Sequence, residues 1–271
     1  MTGTPERRAA FLQEMGIEPL WRSRAAPAAP AAETQALAEP SMPVIEPVDA
    51  FGDLSVGAPL AETLETGIAP ATVTGQSEVA HMDWMQLKST VAGCTRCGLC
   101  NGRTNTVFGV GDEKAKWLFV GEGPGRNEDQ RGEPFVGQAG KLLDNMMLAM
   151  GLRRGANAYI ANIVKCRPTD ETGRDRPPTS AETAACIPYL ERQIALIQPS
   201  IIVALGKIAA ISLLGLDAET PVSKLRGTVH RYADRPLIVT YHPAYLLRNM
   251  VDKKKAWADL CLAMATYAGL C

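Results

Sequence analysis

The sequence predicts an α/β protein: a three-layer α/β/α sandwich with a four-stranded parallel sheet, preceded by a disordered N-terminal extension. Beyond residue 80, short apolar runs of strand length alternate with longer stretches of helical periodicity, as in folds built from βαβ units. Residues 1–80 instead hold four arginines, no lysine and eleven acidic residues, among many alanines and prolines. The sheet is therefore expected in the remaining part of the chain.

The first strand is the apolar run at 117–120, which ends in the turn Gly121-Glu122-Gly123-Pro124-Gly125. Three glycines in five residues let a ligand approach the main chain and its N–H groups. The turn lacks the Lys-Ser/Thr of a P-loop, the GxGxxG spacing and the GxSxG motif. Because the acidic Glu122 lies in this turn and Phe135 follows it, we expect a site for a small planar substrate rather than a plain connection.

The remaining elements follow in order. Helices are predicted at 139–150 and 182–197, and strands at 158–164, 200–205 and 236–241. Asn162 lies near the end of the second strand, and the fourth leads into His242, which the following proline holds in an extended conformation. The carboxyl ends of parallel strands meet in one crevice, so we expect Glu122, Asn162 and His242 to converge there.

The segment after His242 indicates a nucleic-acid contact. Residues 244–249 place apolar side chains and Arg248 on a predicted loop, and Lys253, Lys254 and Lys255 open the last helix. Apolar side chains beside cations are typical of a loop that enters nucleic acid, although a solvated lysine face is the alternative. Residues 81–271 carry 24 basic and 18 acidic side chains, a modest bias that suits an anionic partner.

Five of the seven cysteines have the spacing of a metal site. These are Cys94, Cys97, Cys100, Cys166 and Cys186. In a reducing compartment such spacing favours a metal over disulfides, but zinc and an iron–sulfur cluster satisfy it equally, and the spare cysteine is not identified. Cys261 falls on the apolar face of the last helix and is expected in the core, and Cys271 is expected to be inert.

The N-terminal part divides in two. Residues 1–22 contain a short helical segment, either a docking helix for a protein partner or a marginal helix, and residues 23–80 are expected to be a disordered linker. No apolar run reaches the ~18 residues of a membrane span, and no signal-peptide pattern is present. These features predict a cytoplasmic protein without membrane contact, which we expect to be a monomer.

Four motifs in order, GEGPG, PFVGQAGKLLD, ANIVKCRP and HPAYLLRN, make residues 90–271 resemble the family 4, iron–sulfur-containing uracil-DNA glycosylases. The resemblance implies a 4Fe-4S cluster with the ligands Cys94, Cys97, Cys166 and Cys186. Cys100 then lies outside the ligand set. It also implies a DNA repair enzyme that binds uracil-containing single- or double-stranded DNA, flips the base out and hydrolyses its N-glycosidic bond. An abasic site would remain without strand cleavage.

The resemblance also implies roles for the residues of the crevice. Phe135 would stack on the uracil ring, and the Asn162 amide would donate to O4 and accept from N3–H. His242 would stabilise the negative charge that builds on O2, with the main chain around Gly121 and Gly123 completing the pocket. Glu122 would position the attacking water, or alternatively would steady the turn or the cationic sugar.

The sequence also allows two other kinds of protein. A related uracil-binding protein traps the base covalently with a histidine in an insertion after the second strand, but residues 169–185 contain no histidine. A redox or metal-dependent nucleic-acid module would use the cluster as its working part, and no flavin or nucleotide motif supports it.

Overall fold

The computed structural model describes residues 78–270, which are built around one six-stranded sheet. The strands are β1 (Val110–Gly111), β2 (Trp117–Gly121), β3 (Ala158–Asn162), β4 (Ile201–Leu205), β5 (Val229–Tyr232) and β6 (Arg235–Thr240). Their order across the sheet is β1-β3-β2-β4-β6-β5. The four inner strands are parallel, and β1 and β5 pair antiparallel at the two edges.

The prediction of four strands is wrong in number, because it describes only the parallel centre of this sheet. Strand β1 has two residues, too few to produce a periodic pattern. Strand β5 alternates exposed and half-buried residues at the edge of the sheet. It joins β6 through Ala233 and Asp234, both at positive φ (45° and 61°), where hairpin turns usually carry the more recognisable Asn-Gly or Asp-Gly.

Helices cover both faces of the sheet, which confirms the predicted α/β/α sandwich. They are α1 (Trp84–Ala92), α2 (Arg126–Arg131), α3 (Gln138–Ala149), α4 (Ser180–Ile197), α5 (Lys207–Leu214), α6 (Val222–Leu225), α7 (Pro243–Arg248) and α8 (Lys253–Ala268), with 3-10 turns at Gly98–Asn101 and Met250–Asp252. One apolar core contains residues of α1, α4 and α5 and the other contains residues of α3, α7 and α8. All residues of β2, β3 and β4 are buried, as expected for strands covered on both faces.

Three local predictions differ from the structure. Residues 244–249, expected to be a loop, form most of α7, which begins with Pro243 at its first position after the cap His242. Cys261 is exposed instead of lying in the core, because the buried face of α8 runs through Ala256, Leu260 and Ala263. Val79, within the expected linker, is buried against the core.

The other N-terminal predictions concern residues outside the described part of the chain. These are the helical segment at 1–22 and the linker at 23–77. Within residues 78–270, no helix has the length and apolar character needed to cross a membrane.

The strand order places a crevice at the centre of the sheet. From β2 the chain crosses to β3 on one side and then continues to β4 on the other side of β2. The direction of winding therefore changes between β2 and β4, the position at which open α/β sheets bind ligands beyond their strand ends.

Candidate active site

A cleft of about 520 Å³ opens at the carboxyl ends of the parallel strands. It brings together five residues singled out from the sequence: Glu122, Gly123, Phe135, Asn162 and His242. Arg248, at the end of α7, lies on its rim. The cleft is within the size range of small-molecule sites, and its members come from four separate segments of the chain.

Gly121 is required because two of these side chains cross directly over it. A Cβ at this position would lie 2.5 Å from Oδ1 of Asn162 and 2.6 Å from Cζ of Phe135. No larger residue fits without displacing both. Gly121 therefore leaves the space that its two neighbours occupy, and its part in substrate binding stays a prediction.

Phe135 is held in an uncommon backbone conformation, with φ of 56°. Arg154 donates to the main-chain oxygens of Pro134 and Phe135, both at 2.9 Å, and a carboxylate oxygen of Glu128 accepts from the amides of Val136 and Gly137 at 2.9 and 3.1 Å. These bonds offset a strain of about 1–3 kcal/mol, the usual cost of a non-glycine residue in this region. The ring is buried, and its centroid lies 5.5 Å from that of His242.

Asn162 ends β3 with its side chain at the cleft. The residue is only 2% exposed, yet its Oδ1 has no hydrogen-bond partner within the described residues. A buried, unpaired polar atom costs about 1–3 kcal/mol and is uncommon in folded proteins. A ligand that donates a hydrogen to this oxygen would remove that cost.

The ring of His242 is held by the helix it begins. Its Nδ1 accepts from the backbone amide of Ala244 at 3.2 Å, so the neutral ring carries its proton on Nε2. Burial, with a smaller contribution from the charge of Arg248, lowers the pKa of His242 to about 4. The ring is therefore neutral at physiological pH and is a hydrogen-bond donor through Nε2.

Glu122 is a half-buried carboxyl group in the glycine turn. Burial raises its pKa, and neither a hydrogen bond nor a neighbouring charge contributes to that shift. The carbonyl of Glu122, in contrast, accepts from the amide of Val164 at 3.2 Å. The turn is thus fixed by its main chain, which leaves the carboxylate available to the cleft.

The four predicted DNA-binding residues differ in their surroundings. Arg248 and Lys254 are exposed, whereas Lys253 is half-buried. Lys255 forms an ion pair with Asp252 at 2.8 Å, so part of its charge is neutralised within the protein. Leu247, next to Arg248, is 42% exposed, and Met250 and Val251, between Arg248 and Lys253 in the sequence, are 58% and 79% exposed.

The four predicted cluster ligands line a second cavity, on the α1 and α4 side of the sheet. Cys94 and Cys97 follow α1, Cys166 follows β3, and Cys186 lies on α4. Cys100 lines the same cavity. The fold therefore brings five thiols together from three distant segments of the chain.

Polar donors surround these sulfur atoms. The Arg103 guanidinium lies 3.2 Å from Sγ of Cys166, the Tyr189 hydroxyl 3.3 Å from Sγ of Cys94, and the backbone amide of Lys165 3.3 Å from Sγ of Cys186. Burial nevertheless raises the pKa of Cys186 to about 12. Within residues 78–270, no three or more Cys, His, Asp or Glu side chains are grouped so that they could hold a metal ion.

Two supporting residues were not predicted from the sequence. Arg154 binds the main chain around Phe135, and the buried Lys165 donates from Nζ to the carbonyl of Asn162 at 2.9 Å and to Oε1 of Gln193 at 2.6 Å. Burial lowers the pKa of Lys165 to about 8. Lys165 lies within the ANIVKCRP motif, and this position was the one feature of the sequence that could have pointed to it.

Comparison with known proteins identifies a family for this chain. A sequence model of the uracil DNA glycosylase superfamily matches residues 108–261. The chain is 46% identical to a type-4 uracil-DNA glycosylase of Archaeoglobus fulgidus, over 58% of this chain and 79% of the relative. For the type-4 enzyme of Sulfurisphaera tokodaii the identity is 44%, over 60% and 76%. For that of Pyrobaculum aerophilum it is 38%, over 67% and 93%. The chain therefore belongs to the type-4 uracil-DNA glycosylases, within the uracil DNA glycosylase superfamily.

Proposed function

We infer that the cleft at the strand ends is where this uracil-DNA glycosylase holds a flipped uracil while its N-glycosidic bond is hydrolysed. The protein is a DNA repair enzyme that removes uracil. The observation that carries the assignment to this cleft is the unpaired, buried Oδ1 of Asn162 beside the rings of Phe135 and His242. Extrusion of a base from the DNA stack costs a few kcal/mol, which such a pocket must supply.

Asn162 reads the base in this proposal. Its Oδ1 accepts from N3–H of uracil and its amide nitrogen donates to O4, while the Phe135 ring stacks on one face. Cytosine presents an amino group in place of O4 and no hydrogen on N3, so both bonds are lost. A bidentate pair of this kind discriminates by ~1–3 kcal/mol against the wrong base.

His242 supports the chemical step. As the glycosidic bond breaks, negative charge develops on O2 of uracil, and the Nε2–H of the neutral imidazole donates to it. Because the Nδ1 bond to Ala244 fixes the ring before substrate arrives, no reorganisation is needed when the charge develops. A donor placed in this way is worth ~3 kcal/mol in the rate.

Glu122 positions the water that attacks C1′. Its carboxylate is not required to hold the turn, and its raised pKa makes it a better hydrogen-bond acceptor for that water. Among the described residues that line the cleft, none is a lysine that could form a Schiff base with the sugar. The expected product is therefore an abasic site in an uncleaved strand.

We also propose that the cysteine cavity holds a 4Fe-4S cluster through Cys94, Cys97, Cys166 and Cys186. A cluster fits thiols that surround a shared cavity, and the donors from Arg103 and Tyr189 suit its charged sulfur ligands. When bound, the cluster would supply a structural link between segments that are distant in the sequence.

The function is tested with a uracil-containing oligonucleotide under single-turnover conditions, followed by alkali. The wild type should produce an alkali-labile site, and His242→Ala should be about 100-fold slower, as expected for one lost donor. His230→Ala is the matched control, because His230 lies on the edge strand β5 and bonds to the carbonyl of Leu225. Absence of abasic product in the wild type would refute the function, and strand breaks before alkali would refute the monofunctional chemistry.

A further inference from the structure

Lys165 is a buried cation between the two cavities. It is 1% exposed, and its ammonium group donates to the carbonyl oxygen of Asn162 at 2.9 Å and to Oε1 of Gln193 at 2.6 Å. Gln193 is itself fully buried and donates to the carbonyl of Phe108 at 2.9 Å. A buried ammonium is costly unless it is well hydrogen-bonded, and these two acceptors are its only ones among the described residues.

The backbone of Lys165 reaches the other cavity. Its amide donates to Sγ of Cys186 at 3.3 Å, and its carbonyl accepts from Val107 at 2.7 Å. One residue thus contacts the last residue of β3, the cysteine on α4 and the segment that leads from the cysteine loop into the sheet. An apolar side chain would fill the same volume, so packing alone does not explain why a charged ammonium group stands at this buried position.

The hydrogen bond from this ammonium group to the carbonyl of Asn162 suggests a reason for the charge. Asn162 is the last residue of β3, and its carbonyl belongs to the peptide plane that leaves the strand. The amide of Ile163, in the same peptide plane, donates to the carbonyl of Gly121 at 2.9 Å, and Nζ of Lys165 holds the oxygen. The plane is therefore held at both of its polar atoms, and the backbone that carries the Asn162 side chain is fixed with it. The unpaired Oδ1 then remains directed into the cleft in the absence of substrate.

We propose that Lys165 is a positioning residue for base recognition, holding the main chain of Asn162 from the side of the cysteine cavity so that its amide meets the uracil edge. The proposal rests on the proposed function of the cleft. It differs from a purely structural role in one respect: loss of the ammonium group changes which base is accepted, as well as how stable the protein is.

The test compares Lys165→Met with Arg192→Met in the full-length, iron-loaded protein. Arg192 is a matched control, because it lies on α4 and also donates to a main-chain carbonyl, that of Met82 at 2.6 Å, away from the cleft. Excision of uracil and of cytosine, inhibition by free uracil, iron content and thermal melting are measured for each. Lys165→Met should lower kcat/KM on uracil about tenfold, the loss typical of one charged hydrogen bond. It should also weaken inhibition by free uracil and reduce the uracil-over-cytosine ratio, whereas Arg192→Met should change only the melting temperature.

A second variant keeps the test decisive if Lys165→Met does not fold. Gln193→Met removes the acceptor that holds the ammonium in place opposite the carbonyl of Asn162, so the contact with Asn162 should weaken and the uracil-over-cytosine ratio should fall in the same direction by a smaller factor. An unchanged ratio in every folded variant, with only the melting temperature reduced, would overturn the positioning role. Failure of the wild type itself to excise uracil would instead refute the proposed function.

Discussion

The cleft at the strand ends and the cysteine cavity are both assembled from segments that are distant in the sequence, but they differ in how their side chains are held. In the cleft, Phe135, Asn162 and His242 are already fixed by hydrogen bonds, and the polar atoms left over suit a substrate. In the cysteine cavity the thiols of Cys166 and Cys186 are buried with raised pKa values, although Arg103 donates to one and Lys165 to the other. The comparison teaches that the side chains of the cleft are held by contacts within the chain, whereas the buried thiols of the second cavity are the place where we propose a cluster.

The largest effect expected is on the cysteine side. Cys166→Ser should lose iron and lower the melting temperature by about 10 °C, which corresponds to ~3–4 kcal/mol in a domain of this size. Cys100→Ser, from the same cavity, should keep its iron and the wild-type melting temperature, since Cys100 is outside the proposed ligand set. Metal analysis and calorimetry under anaerobic conditions decide this. Loss of iron from the Cys100 variant, or a colourless zinc-loaded wild type, would show that the cavity is completed differently.

The next effect concerns base selection in the cleft. Asn162→Asp should slow uracil removal and raise the rate on cytosine relative to uracil. The change should correspond to ~1–3 kcal/mol in activation free energy, because a carboxylate accepts from the cytosine amino group and cannot donate to O4. Asn162→Ala should slow uracil removal and shrink the preference without favouring cytosine. Single-turnover excision of each base is the measurement. His242→Ala is the control, since it should slow uracil removal without admitting cytosine.

Much of the cleft could be predicted because its chemistry belongs to side chains at strand ends. Strands β2, β3 and β6 are mostly apolar runs, and Glu122, Asn162 and His242 lie at or just beyond their ends. Arg154 and Lys165 could not be found in this way, because their partners are main-chain carbonyls, which every residue possesses. The register of α8 was missed for a related reason: Cys261 lies one residue beyond the buried Leu260, and only packing decides which of them faces inward.

A smaller effect is expected on the free energy of unfolding at acidic pH, and it arises from His242 in the cleft. The pKa of His242 is about 4 in the folded protein against 6.5 for the free side chain, so the unfolded chain takes up its proton first as the pH falls. Stability should therefore decrease between about pH 6.5 and pH 4, by at most about 3 kcal/mol for a shift of this size. Denaturant unfolding at a series of pH values measures it. His242→Asn should lack this part of the slope, and an equal slope in both proteins would contradict the low pKa.

The smallest effect is on salt dependence at the rim of the cleft. Arg248→Ala and Lys254→Ala should each reduce the slope of log K for duplex DNA against log salt by ~0.9, the value for one phosphate contact. Lys255→Ala should change it less, because Asp252 already shares that charge. Binding titrations across a salt series distinguish the three. Equal reductions would show that the ion pair opens when DNA binds.

Gly140 limits how this protein can be engineered. It lies in the first turns of α3, where replacement of glycine by alanine normally strengthens a helix by about 1 kcal/mol. Here an added Cβ would collide with the main-chain carbonyl of Phe135. A routine helix-stabilising substitution would therefore displace the main chain of Phe135, whose ring we propose to stack on uracil. A search for heat-resistant variants that scores only helix propensity would select against that proposed contact.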